Sequence, residues 1–249
     1  MSEVDILAFG AHPDDVELTC AGLLIKMQRM GYRTAVVDLT RGELATRGTP
    51  EIREAEAREA AQIMGLSARE NLVLPDGHIG PDPDQKKKVV AVIRKYRPSL
   101  MVLPYWEELH PDHENASKLI FESSFLAGLE KYCPEHKAIH RPKKLIHYLG
   151  RPGYDVRPTF IVDISETFEE RIRAIKCYKS QLYDEKSTAR PTEIASKDLI
   201  DRLTGMARYY GAQIGAEYGE PYFCREIIAI DDPIAHFIKR AAQAKEKGK

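Results

Sequence analysis

Two rhythms of apolar residues divide the first half of the chain. Short apolar runs at Val4 to Gly10, Arg33 to Thr40, Asn71 to Leu74 and Leu100 to Pro104 read as buried strands. Between them apolar residues recur at helical spacing. Val16 to Met30 carries Leu18, Ala21, Leu24, Ile25 and Met27 on that period, and Gly31 stops it. Thr49 and Pro50 suit the N-cap and first turn of a helix that ends at Gly65. Gln85 to Tyr96, closed by Pro98, and Pro111 to about Tyr132 supply two more helices. The β-α-β-α-β-α-β-α order predicts a parallel sheet with right-handed crossovers. The expected fold is α/β: a Rossmann-like, doubly wound, mostly parallel sheet with helices on both faces, as one domain over residues 1–249.

The second half is more mixed. Leu145 to Leu149 and Thr159 to Ile164 read as strands, and Ser165 is a candidate cap for a helix from Glu166 to about Leu182. A helix from about Lys197 to Ala216, a strand from Phe223 to Ile230 and a final helix after Pro233 follow. Ser187 to Lys197 is a candidate lid.

Topology turns this pattern into a prediction about chemistry. In a doubly wound sheet the first and fourth strands lie side by side where strand order reverses, and ligands bind beyond their carboxyl ends. The segment leaving the first strand is Ala11-His12-Pro13-Asp14-Asp15, and the segment leaving the fourth contains His110-Pro111-Asp112-His113. They should meet in one cleft. His12, Asp15 and His113 are then ligands for a divalent metal: two imidazoles, one carboxylate and one open position, the pattern of a catalytic zinc site. Ligand type alone also allows iron, manganese or cobalt. His110 and His113, three apart, face one side of a helix whose first position suits Pro111.

The remaining groups suit hydrolysis. Asp14 can take the proton of an attacking water, and His110 can stabilise an oxyanion and help protonate a leaving amine. Asp112 can orient or charge an imidazole from behind. The plainer alternative is that Asp14 and Asp15 merely cap the following helix. A lone His-x-x-His is also ordinary on a surface. His78, His136, His140, His147 and His236 have no such partners and read as structural or solvent-exposed.

Composition narrows the partners. The formal net charge of -1 gives no reason to expect nucleic acid or an anionic membrane surface. No run of 18 apolar residues suggests a membrane span. The acidic start Met1-Ser2-Glu3-Val4-Asp5 does not resemble a secretory signal. Cys20, Cys133, Cys177 and Cys224 form no Cys-x-x-Cys pair and read as reduced thiols of a cytoplasmic protein.

The two metal motifs resemble the signatures of the PIG-L/LmbE-like zinc deacetylases. Thr40-Arg41-Gly42-Glu43, Arg53-Glu54, Glu56 and Ala60-Ala61 are similar to the same family's pattern. Ile214-Gly215, Glu217-Tyr218-Gly219-Glu220-Pro221-Tyr222 resembles the branch that deacetylates N-acetyl-alpha-D-glucosaminyl L-malate in bacillithiol biosynthesis. The resemblance implies hydrolysis of an N-acetyl group on an aminosugar, with zinc on His12, Asp15 and His113, Asp14 as base and His110 at the oxyanion. It also favours a homo-oligomer. A malate aglycone needs a cation, for which Arg53 is the first candidate and Arg47 the second. The alternative for Arg53 is an ion pair with Glu56 or Glu59 on its own helix. One departure stands out: Glu108 occupies a position where some relatives carry a proton-donating tyrosine. Two other functions compete. One is deacetylation of another aminosugar, such as a chitooligosaccharide or an antibiotic precursor. The other is a non-catalytic module binding a metal, a sugar or a nucleotide, the nucleotide being disfavoured because the first loop lacks Gly-x-Gly-x-x-Gly and places carboxylates where a pyrophosphate would sit.

Overall fold

A computed structural model describes residues 3–150 and 156–234. Its strands are β1 (Ile6–Gly10), β2 (Thr34–Thr40), β3 (Ala68–Leu74), β4 (Leu100–Pro104), β5 (Lys144–Tyr148), β6 (Phe160–Asp163) and β7 (Gly219–Phe223). Its helices are α1 (Asp15–Thr19), α2 (Ala21–Arg29), α3 (Pro50–Met64), α4 (Pro83–Tyr96), α5 (Pro111–Leu126), α6 (Phe168–Ile175) and α7 (Leu199–Gln213). All seven strands join one sheet in the order β3-β2-β1-β4-β5-β7-β6. The pairs from β3 to β5 are parallel, and β7 runs antiparallel to β5 and β6. Strand order reverses at β1, which pairs with β2 on one side and β4 on the other.

Both faces of the sheet are covered, as the continuous apolar strands require. Along β1 the side chains alternate between two cores. Leu7 and Phe9 join Ile93 of α4 and Leu119 and Ile120 of α5. Ile6 and Ala8 join Leu24 of α2, Met64 of α3 and Ala174 of α6. The expected helix starts hold where local chemistry fixes them. The Thr49 hydroxyl accepts from Ile52 N–H at 3.3 Å before Pro50, and Gly65 closes α3 with φ of 64°.

Several boundaries move, some for a tertiary reason and some through local capping. The helix expected from Val16 to Met30 is two helices broken at Cys20, because the Glu220 carboxylate accepts Gly22 and Leu23 N–H, both at 2.8 Å, and starts α2 afresh. α4 begins at Pro83, since Asp82 accepts from Asp84 and Gln85 N–H. β3 begins three residues earlier than its apolar run, because Arg69 reaches inward to Asp38 and Glu17. α5 ends at Leu126 rather than near Tyr132: the buried Arg94 guanidinium takes the carbonyls of Ala127, Leu129, Cys133 and His136 and holds that stretch as turns. Ser165 caps nothing; it binds Asp163, and α6 starts after Thr167, whose hydroxyl donates to the Gly22 carbonyl. α6 also stops short, at Ile175, and α7 is shorter than expected at both ends. The last strand is Gly219–Phe223, not Phe223 to Ile230. β6 supplies partners only as far as Tyr222, and residues 225–230 lie exposed. The helix expected after Pro233 and His236 lie outside the described residues beyond Ile234. All four cysteines are free. Among the described residues no helix is long and apolar enough to cross a membrane.

Candidate active site

The chain leaves β1 at Gly10 and turns at once. The His12 N–H donates to Asp15 Oδ2 at 2.8 Å, and Asp14 takes φ of 108°, a conformation uncommon for any residue but glycine. Asp14 stands at the N-cap of α1 without capping it through its side chain, and Asp15 Oδ2 serves His12. The plain capping alternative therefore does not describe either carboxylate.

The loop after β4 brings the second motif to the same place. Pro111 occupies the first turn of α5, and His110 Nδ1 accepts the Asp112 N–H at 3.2 Å. One donor atom each from His12, Asp15 and His113 lies within 4.8 Å of the others, so segments a hundred residues apart do converge at the switch point. His113 Nε2 is 3.3 Å from Asp15 Oδ1, and His12 Nδ1 is 3.7 Å from Asp15 Oδ2. His110 stacks on His113 with ring centroids 4.8 Å apart.

Behind these groups stand partners that sequence reasoning missed or only half saw. Asp76, in the turn after β3, lies 3.1 Å from His12 Nε2 and accepts Leu44 N–H at 2.9 Å. Nothing about its local sequence marks it except its place at the carboxyl end of a neighbouring parallel strand, which is where ligand-site residues gather. Asp112 Oδ2 lies 3.4 Å from the same nitrogen and accepts Gly77 N–H at 2.7 Å. Glu108 is buried, accepts Gly150 N–H at 2.9 Å and sits 3.9 Å from His113 Nδ1.

Arg53 is placed differently from the sequence expectation. It is 4% exposed, its Nη2 lies 3.1 Å from Asp14 Oδ2, and it donates to the Pro13 carbonyl. Neither Glu56 nor Glu59 is its partner; Glu56 instead accepts the Ser180 N–H and hydroxyl, both at 2.7 Å. Gly42, with φ of 66°, is needed here because a Cβ would run into the guanidinium. Arg47 is likewise committed to the scaffold, donating to the Ser180 and Leu182 carbonyls at 3.2 Å each. Neither arginine stands free for an aglycone carboxylate. The branch-like segment is scaffold too. Glu220 caps α2, Tyr222 donates to Glu220, and Gly219 packs against the backbone of Gly211.

The electrostatics favour a cation. Burial pushes Asp15 up, yet the His113 and His12 imidazoles outweigh it and hold this carboxyl well below its usual range. Burial works against charge on His113, but Asp15 and Glu108 raise it to about 10. His12 is raised well above its usual value, with Asp112, Asp15 and Asp76 overcoming burial. The carboxylates thus hold two imidazoles protonated, and a divalent ion supplies positive charge at the same place. His12, Asp15 and His113 fit a metal on this ground and on the compactness of their donors. His110, by contrast, is lowered by burial and by its neighbours His113 and His12. Burial raises Asp14 to about 7, with Arg53 opposing and Asp15 adding. Its Oδ2 is buried, with the Arg53 guanidinium 3.1 Å away.

Comparison with known proteins agrees with this architecture. Residues 7–124 match the family model described as PIG-L, GlcNAc-PI de-N-acetylase. The diacetylchitobiose deacetylase of Thermococcus kodakarensis is 29% identical over 245 residues, covering 94% of this chain and 88% of that protein. The conserved protein TT1542 of Thermus thermophilus superposes with a TM-score of 0.80 at 33% identity, covering 92% of this chain and 98% of its own. The N,N'-diacetylchitobiose deacetylase of Pyrococcus horikoshii, in complex with its inhibitor MPG, gives a TM-score of 0.75 at 25% identity, with 94% and 88% covered. Residues 7–124 of the chain carry a PIG-L family domain.

Proposed function

We propose that this chain is a metal-dependent N-deacetylase acting on an N-acetylglucosamine conjugate, with zinc as the metal and N-acetyl-alpha-D-glucosaminyl L-malate as the substrate. The observation that carries the chemistry is the convergence of His12, Asp15 and His113 beside the buried Asp14 carboxylate. The deacetylase relatives support the acetamide as the scissile group. The malate conjugate rests on the Ile214 to Tyr222 sequence pattern.

His12, Asp15 and His113 would hold the ion, which when bound acidifies a water to roughly pKa 7 and polarises the acetyl carbonyl. Asp14, poised at about 7, accepts the proton of the attacking water. The water oxygen bonds to the carbonyl carbon, and the C–N bond breaks to give acetate and a free amine. His110 accepts the Asp112 N–H through Nδ1, so its neutral tautomer carries hydrogen on Nε2 and can donate to the oxyanion. A histidine lowered in this way has no spare proton near pH 7. We therefore assign delivery to the leaving amine to Asp14, which holds the proton it has just taken.

The test is acetate release from the malate conjugate, free N-acetylglucosamine and diacetylchitobiose, before and after chelation and after zinc is restored. Metal-dependent turnover with strong preference for the malate conjugate supports the whole reading. Turnover with preference for diacetylchitobiose keeps the chemistry and replaces the substrate. Turnover that survives complete metal removal overturns the mechanism.

A further inference from the structure

The sheet edge beside α3 is distorted where a cavity opens. The β2–β3 register shifts between Asp38 and Thr40. On the edge strand β3, Val73 takes φ of 51°, an outlier for a β-branched side chain, and stands exposed. Asn71 holds the irregularity: its amide donates to the Thr40 carbonyl and accepts the Val73 N–H. Register shifts and strained backbone of this kind gather at binding sites. Between the distorted edge and α3 lies a cavity of about 300 Å³, within the range of small-molecule sites. Of the two metal-motif segments only Pro13 reaches its wall, so the cavity is separate from the metal set.

The polar groups of the lining are sorted by depth. Asp38 and Arg69 close the inner end, paired at 2.8 and 2.9 Å, and Arg69 donates further to Glu17 and the Ala57 carbonyl. This is a neutral polar wall, suited to hydroxyls rather than to a net charge. Glu70 is likewise taken, by Lys95 and Tyr96. Arg41 and Arg58 stand at the mouth, with side chains 34% and 71% exposed. They share Glu54, and Arg41 also meets Glu51 at 3.0 Å. The other guanidinium N–H groups of both have no partner among the described residues. The spare hydrogen-bonding capacity at the mouth is donor capacity, which matches a carboxylate. Pro13, Pro50 and Ala57 add carbon surface between mouth and inner end, room for a carbon skeleton that inorganic phosphate lacks.

We propose that this cavity is a second binding site, for a small hydroxy acid, and that filling it raises turnover at the metal centre. The carboxylate lies across Arg41 and Arg58, the hydroxyls reach the Asp38–Arg69 pair, and the carbon body rests on Pro13. Pro13 provides the coupling. Its carbonyl accepts from Arg53, and the next residue is Asp14, held at φ of 108°. A ligand packed on Pro13 favours that conformation of the turn over relaxed ones, which is the differential contact an effector needs.

Binding does not depend on the hydrolase reading; the rate effect rests on it, and the two are measured separately. The full chain is titrated calorimetrically with D-gluconate, L-malate, succinate and inorganic phosphate, and acetate release is followed with and without saturating D-gluconate. The hydroxy acids should bind at one site per chain, about tenfold tighter than succinate or phosphate. Arg58→Ala should weaken binding about tenfold, and Ala57→Leu, which fills the cavity, should abolish it while thermal melts confirm folding. Asp14→Asn should leave binding unchanged. D-Gluconate should raise kcat/KM about twofold or more in wild type, a ratio that falls to one in Ala57→Leu whatever its basal rate. Phosphate binding as tightly as the hydroxy acids, or binding unaffected by Arg58→Ala and Ala57→Leu, overturns the site. So does no binding of any of the four at millimolar concentration. Binding that leaves kcat/KM unmoved overturns the coupling. Intact binding by a chain that releases no acetate from any substrate overturns the deacetylase reading and supports the site.

Discussion

Arg53→Ala distinguishes an arginine that grips an aglycone from one that works through Asp14. The side chain is 4% exposed, so a substrate carboxylate would have to displace the Pro13 carbonyl and the Asp14 contact to reach it. Arg53 is also the largest influence opposing the burial that lifts Asp14 to about 7. A cation at 3.1 Å in a buried site shifts a carboxyl by about 1–3 units. With Asp14 near 7, about half the enzyme carries the base in ionised form at pH 7. Loss of Arg53 that raises Asp14 by about one unit leaves about a tenth, a fall of roughly fivefold in kcat/KM, and about two units gives roughly 50-fold. The acid limb of the pH profile should move up by the same interval, with activity recovering at high pH. The loss should be equal on the malate conjugate and on a neutral N-acetylglucosaminide. Arg53→Lys should move the limb less, and bound zinc confirms that each variant keeps its metal set. A KM increase confined to the malate conjugate, with the limb unmoved, would refute the argument and return Arg53 to substrate binding.

Three further outcomes follow from named groups. Asp14→Asn should keep its zinc and lose about 10²- to 10⁴-fold in kcat, since the base is gone while the ligands remain; near-normal kcat with zinc bound contradicts its role. His147 is lowered by burial to about 4, while its unfolded value is near 6.5. Between those values the unfolded chain binds a proton that the folded chain refuses, so stability is full above 6.5 and falls as pH drops through 4. The interval is worth roughly 3 kcal/mol. Urea unfolding of His147→Gln should show a correspondingly smaller stability difference between pH 7 and pH 4, and an unchanged difference argues against it. Glu220→Ala should destabilise by about 3–5 kcal/mol in denaturant melts, because it strands two buried N–H groups and removes the carboxylate 3.5 Å from the buried Arg171 guanidinium. A loss below about 1 kcal/mol would mean that water replaces the carboxylate.

The parallel half of the fold was legible because its information is local. β1 and β4 are uninterrupted apolar runs, β2 is apolar around the single carboxylate Asp38, and α3 announces both ends through Thr49, Pro50 and Gly65. Several misplaced boundaries are set by a side chain far away in the chain. Cys20 breaks a helix on account of Glu220, and α5 ends early on account of Arg94. The strand expected at Phe223 to Ile230 is apolar enough, but β6 lies against the preceding residues. Ile227, Ile228 and Ile230 are left exposed, a result that pattern alone cannot anticipate because strand pairing decides it.

The same distinction governs the site. His12 and His113 could be brought together on paper because strand order fixes where the ends of β1 and β4 lie. Asp76 could not, since its turn carries no ligand spacing and its tie to His12 spans 64 positions. Arg53 illustrates a subtler loss. Its position in the sequence pattern was visible, but an arginine near a carboxylate-bearing substrate and an arginine beside a buried base look identical until burial is known. The decisive residue is Gly42, whose missing Cβ admits the guanidinium to the wall behind Asp14. Thr40-Arg41-Gly42-Glu43 and Arg53 thus form one device: the glycine clears the space, and the arginine fills it and holds Asp14 near the pH at which a base can both take and return a proton.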